Sequence, residues 1–190
     1  KPFVAKYNTT GGVVSYSGAM LLARGVSVSL SLNTTDDNTF YADNIAAEAA
    51  AATFSDGTAT LTVDGLLAAA EKFIYGLPEA TNVEVGGDQV AVSHYGDGMD
   101  VPYVGIGFIV RYQSAGVVTY APVVLTKARF QQAGLDAATQ EESIDWQTQE
   151  LTANLMRDDT SNHDWKLVAA DQATEAEAEA VLKALLGGAA

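Results

Sequence analysis

Apolar and hydroxyl-bearing side chains alternate along two segments of the chain, and each segment is predicted to be a β-strand. Residues 25–33 read GVSVSLSLN, and residues 56–66 read DGTATLTVDGL. The aliphatic positions are Val26, Val28, Leu30, Leu32, Ala59, Leu61 and Val63, and the hydroxyl positions are Ser27, Ser29, Ser31, Thr58, Thr60 and Thr62. Successive side chains of a strand point to opposite faces, so each strand is predicted to bury its aliphatic face in a core. The opposite face then presents small, uncharged hydroxyl side chains to water.

Strands are also predicted over much of the remaining chain. Residues 11–25 favour a hairpin, or one strand interrupted at Gly18, that leads into the segment 25–33. Residues 103–130 favour a long hairpin that turns at the segment SAG. Shorter strands are predicted in FYADN, QVAVSHY, LTANLMR and DWKLVAA. The segment IAAEAAAA is rich in alanine, and it has no period that separates strand from helix.

Two helices complete the predicted elements. Residues 66–76 favour a short helix that is stopped by Gly76 and Pro78. The C-terminal helix begins at Thr174, because Glu177 three residues later completes a capping box. Its apolar face consists of Val181, Leu182, Leu185 and Leu186, and Gly187–Gly188 ends it.

These elements predict one mainly β domain of the α+β class over residues 1–190. A chain of 190 residues, of which 48% are hydrophobic, is long enough for one domain with a core of its own. No internal repeat and no low-complexity linker divides it.

The charge of the chain argues against a protein that grips nucleic acid. Ten Lys and Arg residues face 24 Asp and Glu residues, which gives a formal net charge of −14. Nucleic-acid binders gain affinity by neutralising phosphates with Lys and Arg. The charge is also uneven, because Lys1, Lys6 and Arg24 are the only charged residues before Asp36. This N-terminal segment is either a chance distribution that aids solubility or a basic arm for the acidic surface of another copy.

The residues that carry most protein chemistry are sparse, so we predict no catalysis, no metal and no cofactor. Cysteine is absent, and His94 and His163 lie far apart without helix-spaced partner ligands. Ser93 precedes His94 directly on a predicted strand, which points their side chains to opposite faces. The segment GDGMD lacks the spacing of a calcium loop, and the segment GIG lacks the third glycine of a phosphate-binding loop. Paired carboxylates occur in almost any acidic protein and carry no weight here.

Several segments together resemble the major tail proteins of long-tailed, siphovirus-type bacteriophages, in the branch common among phages of Gram-positive bacteria. They are KPFVAKYN, DDNTFYADNIAAE, TLTVDGL, VPYVGIGFIVRY, APVVLTKARF, ESIDWQTQELTANLMRDD and HDWK. The resemblance runs from Lys1 to the C-terminal helix, and it depends on the order of many segments rather than on one motif.

The resemblance implies a structural virion protein. Tail tube proteins of this family stack as six-membered rings into a hollow tube through which genomic DNA passes during infection. Their fold is a β-sandwich or small barrel with a flanking internal helix, shared with type VI secretion tube proteins. The implied partners are other copies of the chain and the tail-terminator, tape-measure and distal tail proteins. The implied place is the virion tail, which is assembled in the cytoplasm of the bacterial host.

Two hypotheses name residues for this function. The serine face of residues 25–33 either lines the channel, through Ser27, Ser29 and Ser31, or is an ordinary solvent face of an outer sheet. The polar loops 33–39 and 134–145 are long enough to reach a neighbouring ring. Contacts between subunits are then predicted to pair basic with acidic residues, and these are Lys1, Lys6, Arg24, Glu141, Glu142 and Asp145.

A second function from another class stays open at this point. Trp146, Trp165 and the eight tyrosines are consistent with a secreted or surface β-sandwich that binds carbohydrate on an aromatic platform. Such aromatic residues are more often anchors of a core or an interface. The assembled state separates the two functions, since a tube protein forms rings or tubes and a carbohydrate-binding module does not require them.

Overall fold

The chain is mainly β with two helices in the computed structural model, which describes residues 1–35, 38–42, 45–50, 52–132 and 148–188. The strands in this described part are β1 (Phe3–Thr10), β2 (Val13–Leu21), β3 (Ala23–Thr34), β4 (Asn38–Ala42), β5 (Ile45–Ala50), β6 (Phe54–Leu66), β7 (Thr81–Val85), β8 (Asp88–Val92), β9 (Val104–Ser114), β10 (Val117–Phe130), β11 (Gln149–Met156) and β12 (Lys166–Val168). The helices are α1 (Ala68–Tyr75) and α2 (Glu175–Leu185). The mainly β, α+β class predicted from the sequence is confirmed.

Eight strands form one sheet, in the order β2-β1-β9-β10-β11-β6-β3, with β12 paired to β10 beside this path. The pairings are antiparallel throughout. Two further hairpins, β4-β5 and β7-β8, each form a two-stranded sheet of their own.

The strands at the two ends of this order are consecutive in the chain. β2 ends at Leu21 and β3 begins at Ala23, so Leu22 alone separates them. Leu22 is fully buried, and its N–H donates to the carbonyl oxygen of Pro2 at 2.9 Å. The sheet therefore curves until its ends meet at this corner. Val4 of β1 and Leu61 of β6 accordingly belong to one core cluster, although their strands are far apart in the sheet order.

Helix α1 packs against this core from one end. Its buried side chains, Ala70, Ile74 and Tyr75, belong to the same cluster as the inward side chains of the sheet. Gly76 ends the helix in the left-handed conformation, with φ +58°. The prediction of a short helix stopped at Gly76 is confirmed.

Helix α2 covers the outer face of the sheet at β1, β9 and β10. Leu182 and Leu186 are fully buried in a second cluster with Phe3, Ala5 and Val124. The capping box is present, since the Thr174 side chain accepts from the N–H of Glu177 and the Glu177 side chain accepts from the N–H of Thr174. The predicted start of this helix is confirmed.

The glycines of the GIG segment explain how closely α2 approaches the sheet. A Cβ on Gly107 would lie 2.9 Å from a Cδ1 of both Leu182 and Leu186. A Cβ on Gly105 would lie 2.5 Å from the Tyr16 ring. The segment therefore serves packing, because a side chain at either position would displace what lies above it.

Candidate functional site

The two hydroxyl-bearing strands predicted from the sequence lie side by side and form one surface. β3 pairs with β6 in an antiparallel register. The hydroxyl pairs across the two strands are Ser27 with Thr62, Ser29 with Thr60, and Ser31 with Thr58. The Ser27 hydroxyl donates to the Thr62 hydroxyl oxygen at 3.0 Å. Residues directly opposite in an antiparallel pair share a face, so the serines and threonines point the same way.

Strand β11 extends this surface on the far side of β6. Thr152 lies opposite Thr60, with Glu150 opposite Thr62 and Asn154 opposite Thr58. We call the resulting surface the hydroxyl face, and it consists of Ser27, Ser29, Ser31, Thr58, Thr60, Thr62, Thr152, Glu150 and Asn154. Glu150 is charged, and so are Asp56 and Asp64, which lie two residues beyond Thr58 and Thr62 on the same face of β6; Asp64 pairs with Arg24 of β3. Between these two ends β3 and β6 present only uncharged hydroxyls, which bind water well.

The aliphatic face of β3 is only partly buried, which corrects the prediction that all four of its side chains are in the core. Val28 and Leu30 are half-buried and pack on the core, but Val26 is 61% exposed and Leu32 is 42% exposed. A register shift between Gly25 and Ser27 leaves Val26 without a partner on β6. Leu32 lies opposite Gly57, which has no side chain to cover it.

Two strand edges beside the hydroxyl face have no backbone partner within the described residues. β3 pairs with β6 on one side only. β9 pairs with β1 only as far as Gly107, so Phe108–Ser114 has β10 as its single neighbour. A groove of about 290 Å³ runs between the two edges, lined by Gly25–Val28, Phe108–Arg111, Lys1 and Pro2. Unpaired strand edges are templates for pairing with another chain.

Two of the three N-terminal basic residues form ion pairs inside the chain. The Lys1 ammonium contacts Glu179 and lies 3.9 Å from Glu175, both on α2, and Arg24 pairs with Asp64. The hydrogen bond to Glu179 raises the pKa of Lys1. Lys6 has no carboxylate partner among the described residues. An intermolecular role for Lys1 or Arg24 therefore requires the exchange of an existing pair.

The acidic side of those predicted contacts, Glu141, Glu142 and Asp145, lies outside the described residues. The pairing of basic and acidic residues between copies stays a prediction. Salt is its simplest test, because exposed ion pairs weaken as ionic strength rises.

A compact cation–aromatic network lies at the end of β10. The Lys127 ammonium is 5.1 Å from the ring centres of both Tyr7 and Tyr103, and 2.9 Å from a carboxylate oxygen of Asp159. The Tyr7 hydroxyl also donates to Asp159 at 2.9 Å. These hydrogen bonds, that of Lys127 foremost, lower the pKa of Asp159, and burial raises the pKa of Tyr7 to about 12. The network fixes the loop after β11 to the sheet.

The other candidate residues for chemistry do not assemble into a site. The His94 Nε2 is hydrogen-bonded to the Thr81 hydroxyl at 2.6 Å, whereas the His163 Nδ1 lies 3.3 Å from the Asp158 carbonyl oxygen. Within the described ranges, no three His, Cys, Asp or Glu residues are grouped closely enough to hold a metal ion. None of the helices described in the structure has the length and apolar character needed to cross a membrane.

Trp165 is engaged in packing rather than presented as a platform. Its ring stacks on Phe54 with 4.7 Å between the ring centres. The Lys166 ammonium lies 4.8 Å from the centre of the Trp165 ring. Trp146, the other tryptophan, lies outside the described residues.

No protein-family model matches the chain, and no curated protein matches it.

Proposed function

We propose that the chain is a tail tube protein of a long-tailed bacteriophage, which assembles into stacked six-membered rings around a channel for DNA. The observation that carries the proposal is the pair of unpaired strand edges, β3 and the outer part of β9, beside one continuous hydroxyl face. The family resemblance of the sequence segments supports the same function. No catalytic step and no cofactor enter it.

The edges supply the means of assembly. If the free edge of β3 in one copy pairs with the free edge of β9 in the next, each copy uses two different surfaces. Such head-to-tail contacts form rings where the rotation between copies closes, and helical filaments where each copy is also offset along the axis. Pairing also removes the exposed edges that would otherwise cause uncontrolled aggregation.

The same pairing would set the hydroxyl faces of successive copies in one extended sheet, with β9 and β10 of the next copy between them. The curved sheet, whose ends meet at the Leu22 corner, is consistent with the small barrel or sandwich of tail tube proteins. A channel for DNA must not hold phosphates, because each phosphate contact adds affinity. Serine and threonine hydroxyls carry no charge, so they add none of the affinity that Lys and Arg gain by neutralising phosphates, and the net charge of −14 repels the duplex.

The partners beyond the chain itself follow from this function. A tube of fixed length requires a protein that sets its length and proteins that close its two ends, so we propose the tape-measure, tail-terminator and distal tail proteins as partners. The virion tail, assembled in the host cytoplasm, is the proposed location.

The test is the assembled state of the concentrated protein. We expect electron micrographs to show uniform rings or tubes. Val26→Lys places a charge on the free edge of β3, where Val26 is 61% exposed, and we expect it to prevent assembly while the subunit stays folded. Val168→Lys is the matched control, because Val168 is 59% exposed on β12, which pairs with β10 and does not line the groove between the two edges, and we expect it to assemble normally.

Two results would contradict the proposal. A protein that stays monomeric at high concentration and binds a glycan would instead support the carbohydrate-binding β-sandwich. Equal assembly of the Val26→Lys and Val168→Lys variants would show that the β3 edge takes no part. Circular dichroism of both variants establishes that they are folded.

A further inference from the structure

The β7-β8 hairpin carries an apolar face that nothing in the described part of the chain covers. Its strands pair only with each other, with Val83 opposite Val90 and Thr81 opposite Val92. Directly opposite residues share a face, and so do residues two apart on one strand. The valine face therefore consists of Val83, Val85, Val90 and Val92, which are 49%, 60%, 46% and 37% exposed.

The hairpin is built to present this face. Gly86 and Gly87 form its turn with φ +63° and +96°, the conformation that a tight two-residue hairpin turn requires. The opposite face carries polar side chains, Asn82, Glu84 and Gln89. A two-stranded hairpin alone is marginally stable in water, so an amphipathic one gains from a partner for its apolar side.

A pocket of about 600 Å³ at the end of α1 complements the valine face, because its lining is apolar and carries basic residues. Its apolar lining includes Met20, Phe73, Leu77, Pro102 and Tyr103. Lys6 and Lys72 add positive charge, and Asp100 is the acid of the lining. Lys72 pairs with Glu79, whereas Lys6 has no carboxylate partner among the described residues. No residue of β7 or β8 lines the pocket, although β7 begins only four residues after Leu77.

We propose that the valine face of the β7-β8 hairpin docks in this pocket of a second copy. Asp88 shares the valine face, since it lies opposite Val85, and it is placed to meet the unpaired Lys6 of the second copy. Two valine faces would meet less well, because each brings an Asp88 to the contact. The groove between β3 and β9 is a poorer binding site for the hairpin than the pocket. The groove presents unpaired backbone edges, whereas the valine face would bind through its side chains.

The inference rests on the proposed function in taking a second copy as the partner. It adds a side-chain contact that is separate from the pairing of strand edges. The two contacts use different residues, so they are tested separately.

The first experiment weakens the apolar contact without changing the shape of the hairpin. In Val83→Thr/Val90→Thr, both side chains stay β-branched but become polar, and we expect self-association to weaken about tenfold or more. The control Asn82→Thr/Gln89→Thr changes the opposite face, and we expect it to associate as the unmodified chain does. Sedimentation equilibrium measures the association constant. Equal association of both variants would overturn the inference.

The second experiment exchanges the charges. Asp88→Lys and Lys6→Asp are each expected to weaken association about fivefold, and the double variant is expected to recover most of the loss. Glu84→Lys, on the opposite face, is the control with the same change of charge. Failure of the double variant to recover would overturn the pairing of Asp88 with Lys6.

The outcomes separate the two proposals. Tubes that form equally well with every hairpin variant overturn the docking and leave the tube function standing. Small oligomers without tubes, whose association follows the charge exchange, support the docking and overturn the tube function. A chain that stays monomeric at all concentrations overturns both.

Discussion

At the scale of single residues, Gly76 is the position with the strictest requirement. It adopts φ +58°, a conformation that L side chains rarely adopt. A Cβ there would lie 1.8 Å from the carbonyl oxygen of Asp100, and the N–H of Asp100 donates to the Gly76 carbonyl oxygen at 3.0 Å. The end of α1 and the loop before β9 are therefore in direct backbone contact, which fixes one wall of the pocket proposed to receive the hairpin.

Gly76→Ala is expected to destabilise the subunit by about 3 kcal/mol or more, because the strain of the left-handed conformation adds to a backbone clash. Gly65→Ala is the control. Gly65 has φ +70° but no atom within 4 Å of a Cβ, so only the conformational strain of about 1 kcal/mol is expected. Urea unfolding of the two variants measures the difference, and equal losses would contradict the close approach to Asp100.

At the scale of elements, α2 joins the N-terminus to the sheet. Its leucines pack over Gly105 and Gly107, and Glu175 in its first turn and Glu179 in its second both contact Lys1. The cap at Thr174 holds the start of the helix in place, because it satisfies an N–H that has no partner within the helix.

Thr174→Ala is expected to cost about 1 kcal/mol of stability through loss of this cap. Glu177→Gln is expected to cost less, since glutamine also completes a capping box. Thermal unfolding of the two variants measures the order of their effects. A Glu177→Gln variant that is less stable than Thr174→Ala would show that the charge of Glu177, rather than the cap, holds the first turn.

Elements with a strong local signal could be predicted from the sequence, and those set by distant contacts could not. Alternation located β6, and the Thr174 cap located the start of α2. The strand β5 (Ile45–Ala50) has an alanine-rich sequence that favours helix locally, yet it pairs with β4 as a strand, so strand pairing overrides its local preference. The predictions omit β7, whose valines alternate over only five residues. The bulge at Val26 also lacks a local signal, because it depends on the register with β6.

In the candidate site, too, features with a local sequence signal could be predicted and features set by distant contacts could not. The hydroxyl positions of β3 and β6 were visible in the sequence as two separate strips. Their union into one face depends on the pairing of strands that are not hairpin neighbours, which periodicity does not encode. The free edge of β9 likewise depends on where β1 stops pairing, at Gly107.

At the scale of the whole molecule, the Leu22 corner determines how the subunit presents its surfaces. The sheet curves so that its end strands, β2 and β3, meet at Leu22, and β3 then runs on as a free edge with hydroxyls on one side. A subunit of this shape places its pairing edge and its wet face on the same strand. Pairing between copies therefore determines the orientation of the hydroxyl face in any ring that forms.

This coupling makes the channel lining testable by charge. Replacing Ser27, Ser29 and Ser31 with lysine adds positive charge to the hydroxyl face, and in a tube each lysine would meet phosphates of the passing DNA. We expect DNA delivery per assembled virion that carries the variant to fall at least about tenfold, because each added phosphate contact slows sliding. The control places three lysines at Ser15, Ser17 and Ser161, which are exposed on β2 and in the loop after β11, away from the hydroxyl face and from both pairing edges. If the variant forms tubes and delivers DNA as the control does, the serines face outward, and the wet face of β3 is the solvent surface of an outer sheet.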